Sequence, residues 1–253
     1  MTAQLTDAAL AGFIIFCRVG SCLMLVPGYS SARVPMQIRL MIAVSASLAL
    51  TPLIFGQMQD ALASVNRDDR LLLAPGEVMI GTTIGLMARV YLLGLQFAAI
   101  FVANAIGLAG IPGQPLEDSE ALPALAALLS LAGVMVLLAA GLHIEMLRAI
   151  VDSYRALPVR GAIDAAWFLD NVTRVVSGSS VLALQLSGPF VVYAVVVNVA
   201  MGLANKFTPQ VSLYFASLGL VTAGGLFVMF FLAPEWLAVF RDAYAGWLAD
   251  GQG

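Results

Sequence analysis

Residues 107–123, with the sequence GLAGIPGQPLEDSEALP, decide how the rest of this chain is organised. They contain helix-breaking prolines at positions 112 and 115, glycines at 107, 110 and 113, and the acidic residues Glu117, Asp118 and Glu120. Long apolar runs lie on both sides. A Pro/Gly-rich acidic segment can neither continue a helix nor face lipid, so we expect a loop in water or one buried in protein at membrane depth. The chain is therefore predicted to consist of helices that lead into and out of this loop.

The composition predicts an integral membrane protein. Of the 253 residues, 61% are hydrophobic and 11% are charged, whereas a soluble domain is about half apolar and a quarter charged. Apolar runs of roughly the 20 residues that span a bilayer can be placed six times. They cover residues 8–26, 38–55, 78–108, 122–142, 181–203 and 211–232. We predict an all-α, integral membrane-type helical protein with about six hydrophobic segments, whose long third run tilts, breaks near Gly94 or is not a simple span.

The composition also excludes several classes of site. The formal net charge is -3 and the 12 Lys and Arg residues form no basic stripe, so nucleic acid is not expected as a partner. With a single His and no paired Cys/His motif, we predict no metal site and no cofactor. Cys17 and Cys22 lie five residues apart on one predicted helix, which turns them away from each other, so no disulfide is expected between them.

Three polar or small features lie within the apolar runs. Arg18 lies in the middle of the first run, and we expect it either to face protein or an aqueous lumen, or to snorkel to an interface. Gly81 and Gly85 form a small face on which another helix can approach closely, either in packing or in subunit assembly. Asn198 lies deep in the fifth run and is expected to bond across a helix interface. The sequence NKFTPQ at 205–210 separates the last two runs and predicts a helical hairpin.

The candidates for chemistry are few. His143 and Glu145 are the best of them, but two residues apart on a helix they point about 200° away from each other. They cannot act jointly on one atom, and the spacing of isolated serines such as Ser187 supports no hydrolase. We predict no catalytic residues and place His143 and Glu145 at a membrane boundary, with Arg148, Asp152 and Arg155 as the solvated continuation.

Four segments in order carry a family resemblance: FCRVGSCLMLVPGYSSARVPMQIRLMIAVSASLALTP (16–52), PGEVMIGTTIGLMARV (75–90), GLHIEMLRAIVDSYRALPV (141–159) and NVAMGLANKFTPQVSLYFASLG (198–219). Their order and spacing resemble the FliR/SctT/SpaR family of type III secretion export-gate proteins, from Phe13 to about Phe231. The chain departs from the family pattern at 98–100, where Ala-Ala-Ile replaces Ala-Gly-Gln, at 141–143, and near Lys206 and Ser212.

The resemblance implies a single subunit, with a FliP-like part at 1–175 and a FliQ-like helical hairpin at 176–253. It implies assembly with several copies of FliP and FliQ homologues and contact with FlhB- and FlhA-type export proteins. The assembly would form the entrance channel for unfolded flagellar export substrates. It would lie among the lipids of the bacterial inner membrane, in the flagellar basal body, with a part projecting to the periplasmic side.

The resemblance also assigns roles to residues. The family's central loop plugs the closed pore, and the corresponding stretch here is 107–121. The plug residues it implies are Gly110, Ile111, Pro112, Gly113, Gln114, Pro115, Glu117, Asp118 and Glu120. The residues it implies for helix packing and assembly are Arg18, Pro35, Arg39, Glu77, Gly81, Gly85, Pro209 and Gln210, to which the position of Asn198 in the fifth run adds that residue. A self-sufficient small-solute or ion transporter is the alternative, since polar residues within spans are typical of a substrate path.

Overall fold

The computed structural model describes residues 2–31, 34–109, 122–159, 165–207 and 213–250. In these ranges the chain forms α-helices and one short 3-10 helix and contains no β-strand, so the all-α prediction is confirmed. The α-helices are α1 (Thr2–Leu23), α2 (Met36–Ala63), α3 (Ala74–Ala105), α4 (Ala124–Ala139), α5 (Leu142–Ala156), α6 (Ala165–Phe207) and α7 (Leu213–Asp250). The 3-10 helix covers Arg67–Leu73.

Five helical stretches within the described residues are long and apolar enough to cross a membrane. They are Thr6–Leu23, Met36–Ala63, Asp69–Ala105, Phe168–Phe207 and Ser217–Ala249. Helices α4 and α5 qualify together as a sixth, bent by 68° at the short break between them. Gly141 lies at that break with φ of 75°, a left-handed conformation that glycine adopts without steric cost. The prediction of about six hydrophobic segments is therefore confirmed.

Several helices extend beyond the apolar runs. Helix α3 is continuous over 32 residues and passes Gly94 without a break. Helix α2 continues through Pro52, and with the 3-10 helix it occupies most of 56–73, which lies between the second and third apolar runs. Helix α7 continues past Pro234 to Asp250, although its apolar run ends at 232. The extension of α7 follows a stripe of buried side chains spaced four apart, which are Trp236, Phe240, Tyr244 and Leu248.

The described chain packs as two compact units. The first comprises Met1–Tyr91, Leu138–Val176 and Tyr244–Gly253. It contains α1, α2, the first half of α3 and α5, and its buried core includes Ile14 and Ile15 of α1. The second comprises Leu92–Leu137 and Ser177–Ala243.

The second unit contains the part of α6 from Ser177 and the part of α7 up to Ala243, the two helices that the sequence predicted to form a hairpin. The Tyr193 hydroxyl donates to the Val221 carbonyl at 2.5 Å, and Trp236 Nε1 donates to the Leu186 carbonyl at 3.2 Å. The later position on α7, 236, contacts the earlier position on α6, 186, and the earlier position on α7, 221, contacts the later position on α6, 193. The two helices are therefore antiparallel. The proposed turn residues Pro209 and Gln210 lie outside the described residues.

Candidate functional site

The most unusual side-chain arrangement in the first unit is a buried ion pair. Arg18 Nε donates to Glu77 Oε2 at 2.7 Å, and Arg18 Nη2 donates to Glu77 Oε1 at 2.9 Å. Both side chains are 0% exposed. This two-pronged geometry matches the planar guanidinium to both carboxylate oxygens, which is the strongest form of such a pair. Of the two alternatives for Arg18, the structure shows the first, because the side chain faces protein.

Helix α5 completes the environment of Arg18. Nη1 donates to Ser153 Oγ at 3.1 Å, and Nη2 also donates to the Leu157 carbonyl at 2.9 Å. The guanidinium carbon lies 3.8 Å from the centre of the Tyr154 ring, a cation–π contact. The Leu157 carbonyl belongs to the C-terminal end of α5, where helix carbonyls lack partners and a cation is favoured. We call these five residues, including Glu77, the Arg18 cluster; it joins α1, α3 and α5.

One face of α3 carries Glu77, Gly81 and Gly85 at spacings of four, so the three lie in one stripe. A Cβ atom on Gly81 would overlap the Arg18 carbonyl oxygen, and one on Gly85 would lie 2.6 Å from the Cys22 carbonyl oxygen. The α1 backbone therefore lies directly on this stripe. The earlier position on α3, Gly81, contacts the earlier position on α1, Arg18, and the later one, Gly85, contacts the later one, Cys22. Helices α1 and α3 therefore run parallel. The helix that approaches the predicted small face is thus α1 of the same chain.

The turn before α2 is organised by Arg39. Its Nε donates to the Val34 carbonyl and its Nη2 to the Ser31 carbonyl, both at 2.8 Å. Pro35 stands at the N-terminal cap of α2, where its missing N–H is not needed. Both residues therefore act within the connection between α1 and α2 in this chain.

The base of the central loop is a glycine-terminated helix end. Gly107 has φ of 82°, and its N–H donates to the Asn104 carbonyl at 3.1 Å. The Leu108 N–H donates to the Ala103 carbonyl at 2.8 Å. This pair of bonds is the Schellman motif, which satisfies the last carbonyls of α3 and fixes the direction in which the chain leaves.

Helix α7 holds that base in place. Ile106 is 0% exposed, and a Cβ atom on Gly225 would overlap its side chain. A Cβ atom on Gly107 would lie 3.1 Å from the Leu218 side chain. Leu122, at the other end of the loop, is also buried. The plug residues themselves lie outside the described residues; they are Gly110, Ile111, Pro112, Gly113, Gln114, Pro115, Glu117, Asp118 and Glu120.

The remaining candidate residues do not converge on one site. Asn198 is exposed and donates to the Ala194 carbonyl of its own helix at 2.8 Å, so the expected bond across a helix interface is not the one formed. Glu145 pairs with Arg148 at 2.5 Å on the surface of α5. His143 is half-buried near the start of the same helix. Cys17 and Cys22 are both buried and free.

Sequence reasoning named Arg18 and Glu77 separately but did not pair them, and it gave no role to Tyr154. One signal was available: Arg18 and Glu77 carry opposite charges inside or beside apolar runs. A buried charge requires an opposite partner. That rule alone would have proposed the pair.

Comparison with known proteins relates most of the chain to one family. The sequence profile described as bacterial export proteins, family 1, matches residues 9–246. The flagellar biosynthetic protein FliR of Caulobacter vibrioides is 28% identical over 233 residues, covering 91% of each chain. FliR of Escherichia coli is 22% identical and covers 86% of this chain and 82% of the relative, and FliR of Bacillus subtilis is 21% identical with 96% and 93% covered. Because the family match runs from α1 through the Arg18 cluster and the loop into α7, this chain belongs to the bacterial export proteins, family 1.

Proposed function

We propose that this chain is a non-enzymatic subunit of the flagellar type III protein export gate. The observation that carries the proposal is the family match over residues 9–246, together with FliR relatives that align over most of both chains. The proposed location is the bacterial inner membrane within the flagellar basal body, with part of the assembly on the periplasmic side. The proposed cargo is unfolded flagellar protein.

We further propose that the subunit assembles with FliP and FliQ homologues and works beside FlhB- and FlhA-type proteins. Its apolar surface supports this. In an apolar 18-residue segment of each helix, only 17% of the α2 residues and 11% of the α7 residues are buried inside the subunit. Large exposed side chains on these helices and on α6 include Leu48, Val192, Leu220 and Phe230. Contiguous apolar surface of this kind requires lipid or protein partners.

Native mass spectrometry of the gently solubilised, tagged chain tests the proposed assembly. We expect a particle with one copy of this chain and several copies of two smaller helical membrane proteins. A well-folded monomer or homodimer would contradict the export-gate assembly and would favour the self-sufficient transporter.

We propose that the loop at 107–121 plugs the closed pore. A plug must seal against ions and yet yield to a passing polypeptide. A loop rich in Gly and Pro forms few regular hydrogen bonds, so it opens at low free-energy cost. The capped end of α3 at Gly107 and the buried Leu122 provide fixed points at the two ends of this segment.

Deleting 111–120 should let ions leak through the assembled gate, because the proposed seal is removed while both fixed points remain. The measurement is membrane conductance, or uptake of a small impermeant solute, in cells with normal levels of the complex. A variant of unchanged length that carries Glu117→Gln, Asp118→Asn and Glu120→Gln is the control, and it separates loss of charge from loss of bulk. Unchanged conductance in the deletion strain would rule out the plug.

A further inference from the structure

The last turns of α3 carry a stripe of side chains that are completely buried. The side chains of Leu95, Ala98, Ala99, Val102, Ala103 and Ile106 all have 0% exposure. Their spacings of three, one and four residues place them on one side of the helix, up to its capped end. Because packed interiors leave little free space, the end of α3 cannot change position unless the elements that cover this stripe also move.

Helix α7 covers the point at which the chain leaves α3. Leu218, Thr222 and Gly225 lie four and three positions apart on α7, so they share one side of it. A Cβ atom on Gly107 would lie 3.1 Å from the Leu218 side chain and 3.3 Å from Thr222 Oγ1. A Cβ atom on Gly225 would overlap Ile106 Cγ2 and would lie 2.5 Å from Ile106 Cβ. Since the Cβ position is fixed by the backbone, no rotamer of Ile106 can relieve that contact.

The adjacent glycine on α7 faces α6. Gly224 points about 100° away from Gly225 around the helix, so it meets a different neighbour. A Cβ atom on Gly224 would lie 2.9 Å from the Tyr193 hydroxyl, which itself donates to the Val221 carbonyl of α7. The α7 backbone therefore touches α6 on one side and the end of α3 on another. A displacement of α7 relative to α6 would pass directly to the residue before Gly107.

We propose that α7 positions the loop at 107–121 through the contact of Gly225 with Ile106, so that the proposed plug stays in place only while this contact is kept. The inference rests on the proposed function, because the element that is positioned is the proposed plug. Gly225 is thus a positioning residue that acts through the end of α3. The chain leaves that end one residue after Ile106, so a shift of the contact moves the start of the loop by the same amount.

The substitution Gly225→Ala in the assembled gate tests the proposal. The added methyl group meets Ile106 Cβ, so the end of α3 has to move away from α7. We expect the ion leak per assembled complex to rise about fivefold or more, because an overpacked contact shifts a two-state equilibrium by at least that factor. Gly219→Ala is the matched change on the same helix, with nothing within 4 Å of the added atom, and should leave the leak unchanged. No rise with Gly225→Ala, or an equal rise with Gly219→Ala, would overturn the proposal.

Two further variants loosen the same contact without adding bulk. Ile106→Val removes one carbon atom from the buried side chain, and Ile106→Ala removes three. They give the answer if Gly225→Ala prevents assembly. We expect the leak per complex to increase from the parent to Ile106→Val to Ile106→Ala, because the end of α3 is held less firmly against α7. A leak that stays at the parent level in both variants would overturn the proposal.

The deletion of 111–120 separates this proposal from that of the plug itself. If the deletion leaks and the Gly225 and Ile106 variants do not, the plug stands and its positioning by α7 is wrong. If the deletion does not leak, the plug is wrong and the positioning proposal falls with it. In a chain that carries the deletion and Gly225→Ala together, we expect the leak of the deletion alone, because the positioned element is gone. A further rise would show that Gly225→Ala opens the gate elsewhere and would overturn the proposal.

Discussion

The absence of a side chain at certain glycines allows two helices of this chain to approach closely, and Gly81 is the clearest case. Gly81→Ala should destabilise the subunit by about 1–3 kcal/mol, because the new methyl group meets the backbone carbonyl of Arg18, which cannot rotate away. Gly76→Ala is the matched change on the same helix, where nothing lies within 4 Å of the added atom. It should be neutral or slightly stabilising. The measurement is the apparent unfolding temperature of the purified subunit or complex in mild detergent, and equal values for the two variants would contradict the close approach of α1 to α3.

The same residues show where prediction from the sequence ends. The spacing of Gly81 and Gly85 predicts a face for close approach, because helical periodicity determines which side chains share a side. It does not say which helix approaches. The partners of Arg18 lie 59 and 135 or more positions away, on α3 and α5, and no local pattern encodes such distances. Only the rule that buried charges are paired points to Glu77.

At the scale of elements, hydropathy locates the middle of each helix better than its ends. The runs predicted from the sequence fall on α1, α2, α3, α4, α6 and α7. The extensions are amphipathic, so an average over all faces of the helix does not detect them. Helix α5 is such a case, since the buried side chains Leu142, Met146, Ile150 and Tyr154 form one stripe on a helix whose other faces are polar or exposed.

The bend between α4 and α5 is a second feature that hydropathy does not locate. The sequence placed one apolar run at 122–142, but α4 has only 16 residues and is too short to cross a bilayer of ordinary thickness. Gly141 turns the chain by 68° into the amphipathic α5, whose C-terminal end then reaches Arg18. A glycine with positive φ is recognisable in the sequence only as a glycine, so the direction of the turn could not be predicted.

At the scale of the whole molecule, burial differs sharply between the spans. Within an apolar 18-residue segment of each span, 56% of the α3 residues are buried inside the subunit, compared with 28% for α6, 17% for α2 and 11% for α7. In this segment of α3 more than half of the residues are therefore covered by the chain itself, whereas the corresponding segments of α2 and α7 leave most residues at least partly exposed. If protein partners cover that surface, as proposed, the folded subunit is stabilised by them through mass action.

The subunit should therefore depend on its proposed partners for its own persistence. In a strain without the FliP and FliQ homologues, we expect the steady-state level of the epitope-tagged chain to fall about fivefold, because uncovered apolar surface exposes it to quality-control proteolysis. Quantitative immunoblotting, normalised to its transcript, measures this fall, and an unrelated tagged membrane protein should keep its level. Returning both partners should restore the chain. An unchanged level without them would show that lipid alone satisfies α2, α6 and α7, which is what a self-sufficient transporter requires and a gate subunit does not.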